Sequence, residues 1–121
     1  MGKIKHFSDL EVWQIGKDIV KEVYKITGSF PKEEIYDITS QIKRAVVSVP
    51  ANIAEGFGRF HYLDKNKFYL NARGSLCELE SHILIAKELE FVKQDTKLLF
   101  DKIEILSIKL NNLISVTKSK V

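Results

Sequence analysis

Apolar residues recur at steps of three and four along four stretches of this chain, and this spacing limits the fold more than any other feature. One such series is Tyr69, Ala72, Leu76, Leu79, Ile83 and Ala86. Steps of three and four place side chains on one face of an α-helix. Six glycines and two prolines are few for the many turns of an all-β protein. The sequence therefore predicts an all-α fold.

Turn and capping residues divide the chain into four predicted helices, at about residues 9–27, 32–56, 63–91 and 95–116. Ser8 and Glu11 have the spacing of a capping box, in which each side chain accepts a hydrogen bond from a free backbone N–H. Gly28 suits the end of the first helix, and Pro31 suits the start of the second. Short connections between long helices favour an up-down-up-down antiparallel four-helix bundle that forms a single domain over residues 1–121.

Two residues are unusual inside their predicted helices. Pro50 removes one backbone hydrogen bond and predicts a kink near residues 46–47. In the alternative, helix 2 ends near Val49 and restarts, but the continuous apolar spacing favours one kinked helix. Gly74 lies in the middle of helix 3, where glycine costs about 1 kcal/mol relative to alanine. We therefore expect a neighbouring backbone to pass close to Gly74.

Helices 3 and 4 carry more apolar surface than the single stripe of a core-facing helix. A second series runs along helix 3 from Leu70 to Phe91 at intervals of seven residues, and Ile108 widens the apolar face of helix 4. Either a thick core or a contact between subunits would bury this apolar surface. We favour the subunit contact and therefore predict an oligomer. The candidate interface residues are Leu70, Gly74, Cys77, Leu84, Leu98 and Ile105.

Composition also predicts where the protein resides. Cys77 is the one cysteine, so an internal disulfide framework is excluded and a reducing compartment is expected. We interpret Cys77 as a packing residue rather than a reactive thiol. The longest weakly polar run, Ala45–Ala54, is about half of the roughly 20 residues that span a bilayer. No apolar segment follows the N-terminal lysines as it would in a signal peptide. We therefore expect a cytoplasmic protein without a membrane partner.

No arrangement of residues predicts catalysis, a metal or a cofactor. A di-iron helical bundle needs a Glu-x-x-His pair on each of two helices. Here Glu78 and His82 are four residues apart, and no second pair exists. The serines have no histidine and aspartate partners at an informative spacing. We expect a protein that is not an enzyme and that has no cofactor.

Positive charge is concentrated in residues 41–75, which contain all three arginines of the chain. The planar fork of arginine matches phosphate, and His61 and Tyr62 add rings on which bases can stack. Lys65 and Lys67 flank the predicted turn between helices 2 and 3, so we expect both to be exposed. The candidate nucleic-acid-binding residues are Lys43, Arg44, Arg59, Lys65, Lys67 and Arg73. In the other interpretation these residues form a solvated face and ion pairs between subunits.

Several motifs in order resemble one known family. Residues 39–59, TSQIKRAVVSVPANIAEGFGR, and residues 72–80, ARGSLCELE, are similar to the two main motifs of four-helix-bundle proteins encoded in intervening sequences of bacterial 23S ribosomal RNA genes. The resemblance runs from about Leu10 to Val92, and helix 4 is similar only in its apolar pattern. It implies a homopentamer of antiparallel four-helix bundles, and it implies no settled biochemical activity.

Two functional hypotheses follow. Accessory proteins of diversity-generating retroelements are similar in fold to this family, and that likeness implies binding of nucleic acid and a reverse transcriptase through a basic surface. The first hypothesis is therefore a non-enzymatic, self-associating bundle that binds RNA or a nucleoprotein partner. The alternative is a purely structural or protein-interaction oligomer that has no affinity for nucleic acid.

Overall fold

A computed structural model describes residues 3–121, and within this range it contains helices and no β-strand. The four α-helices are α1 (Glu11–Thr27), α2 (Ile38–Gly58), α3 (Tyr62–Glu88) and α4 (Lys97–Lys118). Short 3-10 helices, Phe7–Asp9 and Lys32–Glu34, precede α1 and α2. The all-α prediction is confirmed.

The four helices share one hydrophobic core. All six residues of the α3 series that starts at Tyr69 are buried, and matching series from the other three helices pack against them. Each fully buried leucine or isoleucine contributes about 1.5–3 kcal/mol relative to an exposed one. Burial thus follows the three- and four-residue spacing, and the packing is compatible with a four-helix bundle.

Polar contacts connect helix pairs at the rim of the core. Between α2 and α3, the hydroxyls of Ser48 and Ser75 lie 2.7 Å apart. Between α1 and α4, Lys102 pairs with Glu22 at 2.7 Å. These contacts lie outside the apolar stripe, where the side chains keep access to water.

The start of α1 differs from the sequence prediction. Ser8 does not cap this helix, because Leu10 is its N-cap residue and makes no side-chain capping bond. The capping box lies one turn earlier, where His6 Nδ1 accepts from the backbone N–H of Ser8 at 3.3 Å and Asp9 accepts from that of His6 at 3.0 Å. Backbone donors from Lys5 and His6 hold the pKa of Asp9 below its usual value. The extended backbone of Leu10 separates this turn from α1 and excludes the predicted cap.

The limits of α2 and α3 also differ from the predicted ones. Backbone angles at Asp37 (φ −124°, ψ −112°) are not helical, so α2 begins at Ile38 rather than near residue 32. At the end of α3, Glu90 adopts a left-handed conformation with φ of 62°. Phe91 N–H then donates to the carbonyl of Ala86 at 3.0 Å, which closes a Schellman motif. Glu90 therefore terminates the helix without a glycine.

Helix α2 continues through Pro50 without a break, which excludes the alternative of a helix that ends near Val49. Gly16 of α1 faces this proline. A Cβ atom at Gly16 would lie 3.5 Å from the Pro50 side chain, an ordinary van der Waals distance. The ring of Pro50 is therefore packed against α1.

Within residues 3–121 a close backbone approach occurs at Gly56 and not at Gly74, where nothing in this range lies within 4 Å of an added Cβ atom. An approach to Gly74 by another subunit stays a prediction. A Cβ atom at Gly56 would lie 2.5 Å from Tyr69 Cε1 and 3.0 Å from the carbonyl oxygen of Lys65. Tyr69 is buried, so its ring has little room to move. Gly56 therefore allows a close contact between α2 and α3.

We predict opposite effects of alanine at these two glycines. Gly56→Ala should lower the free energy of unfolding by about 1–3 kcal/mol, because it overpacks the contact with Tyr69. Gly74→Ala, the matched control, should raise it by about 0.5–1 kcal/mol through helix propensity. Urea unfolding followed by circular dichroism at one protein concentration measures both changes. A Gly56→Ala variant as stable as the wild type would show that the close contact relaxes at no cost.

Candidate nucleic-acid interface

Three candidate side chains, Arg59, Lys65 and Lys67, lie in or beside the connection between α2 and α3. This connection consists of Arg59, Phe60 and His61. The backbone N–H of Arg59 donates to the carbonyl of Gly56 at 3.3 Å, and that of Lys65 donates to the carbonyl of His61 at 2.9 Å. Both sides of the turn are therefore anchored in helical hydrogen bonds.

Lys65 is structural rather than freely exposed, contrary to the sequence prediction. Its Nζ donates to the carbonyl of Phe57 at 2.7 Å and lies 3.4 Å from the carbonyl oxygen of Gly56. The last carbonyls of a helix have no intrahelical partner and carry partial negative charge. Lys65 thus caps α2 from the first turns of α3, and its partial burial lowers the pKa of its ammonium group.

Arg59 and Lys67 differ in how many local contacts they make. The guanidinium of Arg59 pairs with Glu55 at 3.2 Å and lies 4.6 Å from the ring centroid of Phe68. Lys67 is exposed on α3, and within residues 3–121 its ammonium makes no hydrogen bond or ion pair. Lys67 is therefore the more available of the two for a phosphate.

The other three candidates point elsewhere, so the six residues do not form one stripe. Lys43 lies 4.9 Å from the ring centroid of Tyr24 on α1. Arg44 lines a cleft between α2 and α3, and Arg73 donates to Asn111 of α4 at 3.2 Å. Adjacent helical residues point in different directions, and the 15 residues between Arg44 and Arg59 span about 22 Å of helix.

The fold brings both terminal segments to the turn between α2 and α3. Lys120 Nζ lies 5.5 Å from the ring centroid of Tyr62, at the start of α3. Phe7 lines a cleft together with Gly58 and Arg59, at the end of α2. We call the positive side chains of this region the basic end: Lys3, Lys5, Arg59, Lys65, Lys67, Lys118 and Lys120.

The basic end accounts for the net charge of the protein. Only three carboxylates belong to the same segments, and two of them are engaged: Asp9 by backbone N–H groups and Glu55 by Arg59. The third is Asp64, in the first turn of α3. The other segments carry twelve positive and thirteen negative side chains. Positive potential is thus concentrated at one end of the molecule.

Sequence reasoning missed four of these lysines because it counted charge in one continuous segment. Lys3 and Lys5 lie far from Lys118 and Lys120 along the chain, and only folding brings the two terminal segments that carry them to the same turn. The helix topology predicted from the sequence could have indicated that the terminal segments lie at this turn. In a bundle of alternating helix directions, both chain termini lie at the same end as the second of the three connections.

The candidate interface residues are all exposed in the single chain. Leu70, Leu84, Leu98 and Ile105 each leave 40–61% of their surface accessible. Gly74 and Cys77 are also exposed. Phe91, the last residue of the second series, instead turns inward, with its ring centroid 5.9 Å from that of Phe30. The α3 and α4 surface therefore remains uncovered by the chain itself.

Residues 3–121 contain neither a metal-ligand group nor a membrane-spanning helix. No three histidine, cysteine, aspartate or glutamate side chains in this range come together as a metal-ligand group. No helix there is long and apolar enough to cross a membrane.

Comparison with known families gives a match over most of the chain. The sequence model of the family described as 23S rRNA-intervening sequence protein matches residues 8–112, which include all four helices in whole or in large part. No curated protein matches the chain.

We predict that neighbouring lysines of α3 contribute differently to stability. Lys65→Met should lower the free energy of unfolding by about 1 kcal/mol, because the carbonyl of Phe57 loses its charged donor. Lys67→Met, the matched control, should change it by less than about 0.5 kcal/mol. Urea unfolding of both variants measures the difference. Equal stability would mean that water replaces the Lys65 ammonium at no cost.

Proposed function

The chain belongs to the family of 23S rRNA-intervening sequence proteins, and we propose that it is a non-enzymatic, self-associating four-helix bundle that binds RNA or a nucleoprotein partner through its basic end. The observation that carries this proposal is the charge distribution. Seven positive side chains belong to three segments that meet at the α2–α3 turn, and these segments carry only three carboxylates. The name of the family refers to the location of its genes and assigns no reaction.

We further propose that the four helices form one domain with up-down-up-down antiparallel topology. The ion pairs between α1 and α4 support alternating directions, because Glu11 contacts Lys109 while the later residue Glu22 contacts the earlier residue Lys102. The contacts of α3 with α4 follow the same reversed order, with Arg73 at Asn111 and Lys87 at Thr96.

The exposed apolar side chains of α3 and α4 support self-association. Five copies are the number implied by the family resemblance. A monomer would leave these leucines and isoleucines in water, whereas a second copy would bury them at about 25 cal/mol per Å² of apolar area. An oligomer would also present several basic ends at once, so weak binding at each end would be multiplied by avidity.

The basic end supports RNA binding by a specific physical route. Lysines that neutralise phosphates release condensed counterions, so the affinity falls steeply as the salt concentration rises. The alternative function is a structural or protein-interaction oligomer without affinity for nucleic acid. Local pairing favours that alternative, since Glu55 engages Arg59 and Asn111 engages Arg73.

We predict that the wild type is an oligomer and that two lysines introduced into the apolar surface of α3 and α4 dissociate it. Leu84→Lys combined with Ile105→Lys should give a particle close to the chain mass of 13.9 kDa, because a buried unpaired charge opposes association. Light scattering after size-exclusion chromatography measures the mass. Tyr36→Lys is the matched control, since Tyr36 is 96% exposed and lies outside α3 and α4. A wild-type particle with the mass of one chain would overturn self-association.

We predict that charge reversal at the basic end weakens RNA binding. Lys67→Glu with Lys118→Glu should raise the dissociation constant at least about tenfold at low salt, and should reduce the salt slope by about one unit for each lysine removed. Fluorescence anisotropy with a labelled RNA measures both quantities. The matched control is Lys21→Glu with Lys25→Glu, an equal charge change on α1. No binding by the wild type at low salt would favour the alternative function.

A further inference from the structure

The turn at the basic end presents an aromatic side chain that the fold leaves almost unpacked. Phe60 is 87% exposed. Its nearest ring partner is His61, at 5.1 Å between centroids and nearly perpendicular. A single exposed apolar residue needs no explanation by itself. Phe60, however, lies between Arg59 and the lysines of α3, in the most positive part of the chain.

We propose that this turn is a stacking platform for unpaired bases of single-stranded RNA, with the flanking phosphates bound by Lys67, Lys118 and Lys120. The inference rests on the proposed function and narrows its ligand to the single-stranded form. Proteins that bind single strands combine aromatic faces, on which bases stack, with lysines or arginines that contact the backbone. The basic end contains both components within one short turn and the helix ends beside it.

The platform is held rigid by contacts that do not involve its exposed rings. Lys65 connects the first turns of α3 to the last carbonyls of α2 through its 2.7 Å bond to Phe57. Arg59 is oriented by Glu55 at 3.2 Å and by the ring of Phe68 at 4.6 Å. Residues that support the turn are thus separate from those left free for a ligand. A preformed site loses less conformational entropy on binding.

The rings of the platform differ in their accessibility. Lys120 Nζ lies 5.5 Å from the ring centroid of Tyr62, so an ammonium group is already beside one aromatic ring. Among residues 3–121 no ammonium group lies over the ring of Phe60, which keeps its surface open. A base stacked on Phe60 would place its phosphates near the cations of α3 and α4. Phe60 is therefore the expected stacking residue, and Lys120 an expected phosphate contact.

The same features favour a single strand over a duplex or a protein. In a duplex the base faces are stacked on one another, so a protruding phenyl ring finds no partner except at an end or a bulge. Protein interfaces are depleted in lysine, whereas lysine supplies six of the seven cations of the basic end. Stacking and phosphate contacts do not use the 2′-hydroxyl, so single-stranded DNA of equal sequence should bind within a few-fold of RNA.

The test compares Phe60→Ala with Tyr36→Ala, which removes a ring that is 96% exposed outside the basic end. The probes are a labelled unstructured RNA, a hairpin of equal length whose stem is closed by a minimal loop of mutually stacked bases, and vesicles containing anionic lipid. We expect Phe60→Ala to weaken binding of the unstructured RNA about tenfold, with unchanged hairpin binding and an unchanged salt slope. Phe60→Trp should retain the wild-type affinity, and Tyr36→Ala should have no effect.

Three results would overturn the platform, and they separate it from the proposed function. Equal affinities of wild type and Phe60→Ala for the unstructured RNA would leave phosphate binding in place without stacking. Hairpin binding as tight as single-strand binding would also indicate phosphate binding without stacking. Phe60-dependent binding to vesicles, without binding to any RNA, would reject both proposals and indicate a lipid surface as the partner. Circular dichroism of each variant checks that the helices are intact.

Discussion

The contact between Gly56 and Tyr69 is the constraint on which the rest of this structure depends. Only a residue without a Cβ atom allows the tyrosine ring and the Lys65 carbonyl to approach α2 this closely. Burial of Tyr69 in this contact raises the pKa of its phenol. Two residues beyond Gly56 the helix ends, and Lys65 caps its carbonyls. This close approach constrains the α2–α3 spacing directly beside the short turn and the basic end.

The two proposed surfaces occupy different parts of the molecule and need not compete. The apolar side chains of α3 and α4 lie along the length of these helices, from Leu70 to Leu84 and from Leu98 to Ile105. The basic end lies at the chain termini and the α2–α3 turn. Subunits that associate through their sides would therefore leave every basic end exposed. Binding sites that are weak individually would then act together on one strand.

Helix identity and the core were predictable from the sequence, whereas helix ends and surface contacts were not. The apolar spacing located all four helices, because a buried stripe must repeat with the helical period. The predicted cap at Ser8 was wrong, because the extended backbone of Leu10 separates the turn that contains Ser8 from α1. A close approach occurs at Gly56, and none occurs at Gly74 within residues 3–121. Helix propensity identifies an unusual glycine but not the neighbour that requires it.

The sequence by itself determined the all-α class, the core-facing side of each helix and the family, because these depend on local periodicity and on ordered motifs. Tertiary structure alone decided which charged residues meet. It separated Lys43, Arg44 and Arg73 onto different faces, assigned Lys65 to capping α2 and brought Lys120 beside Tyr62. The physical reason is that electrostatic and stacking contacts act through distances in space. Residues 58 positions apart become neighbours only when the helices that carry them pack against each other.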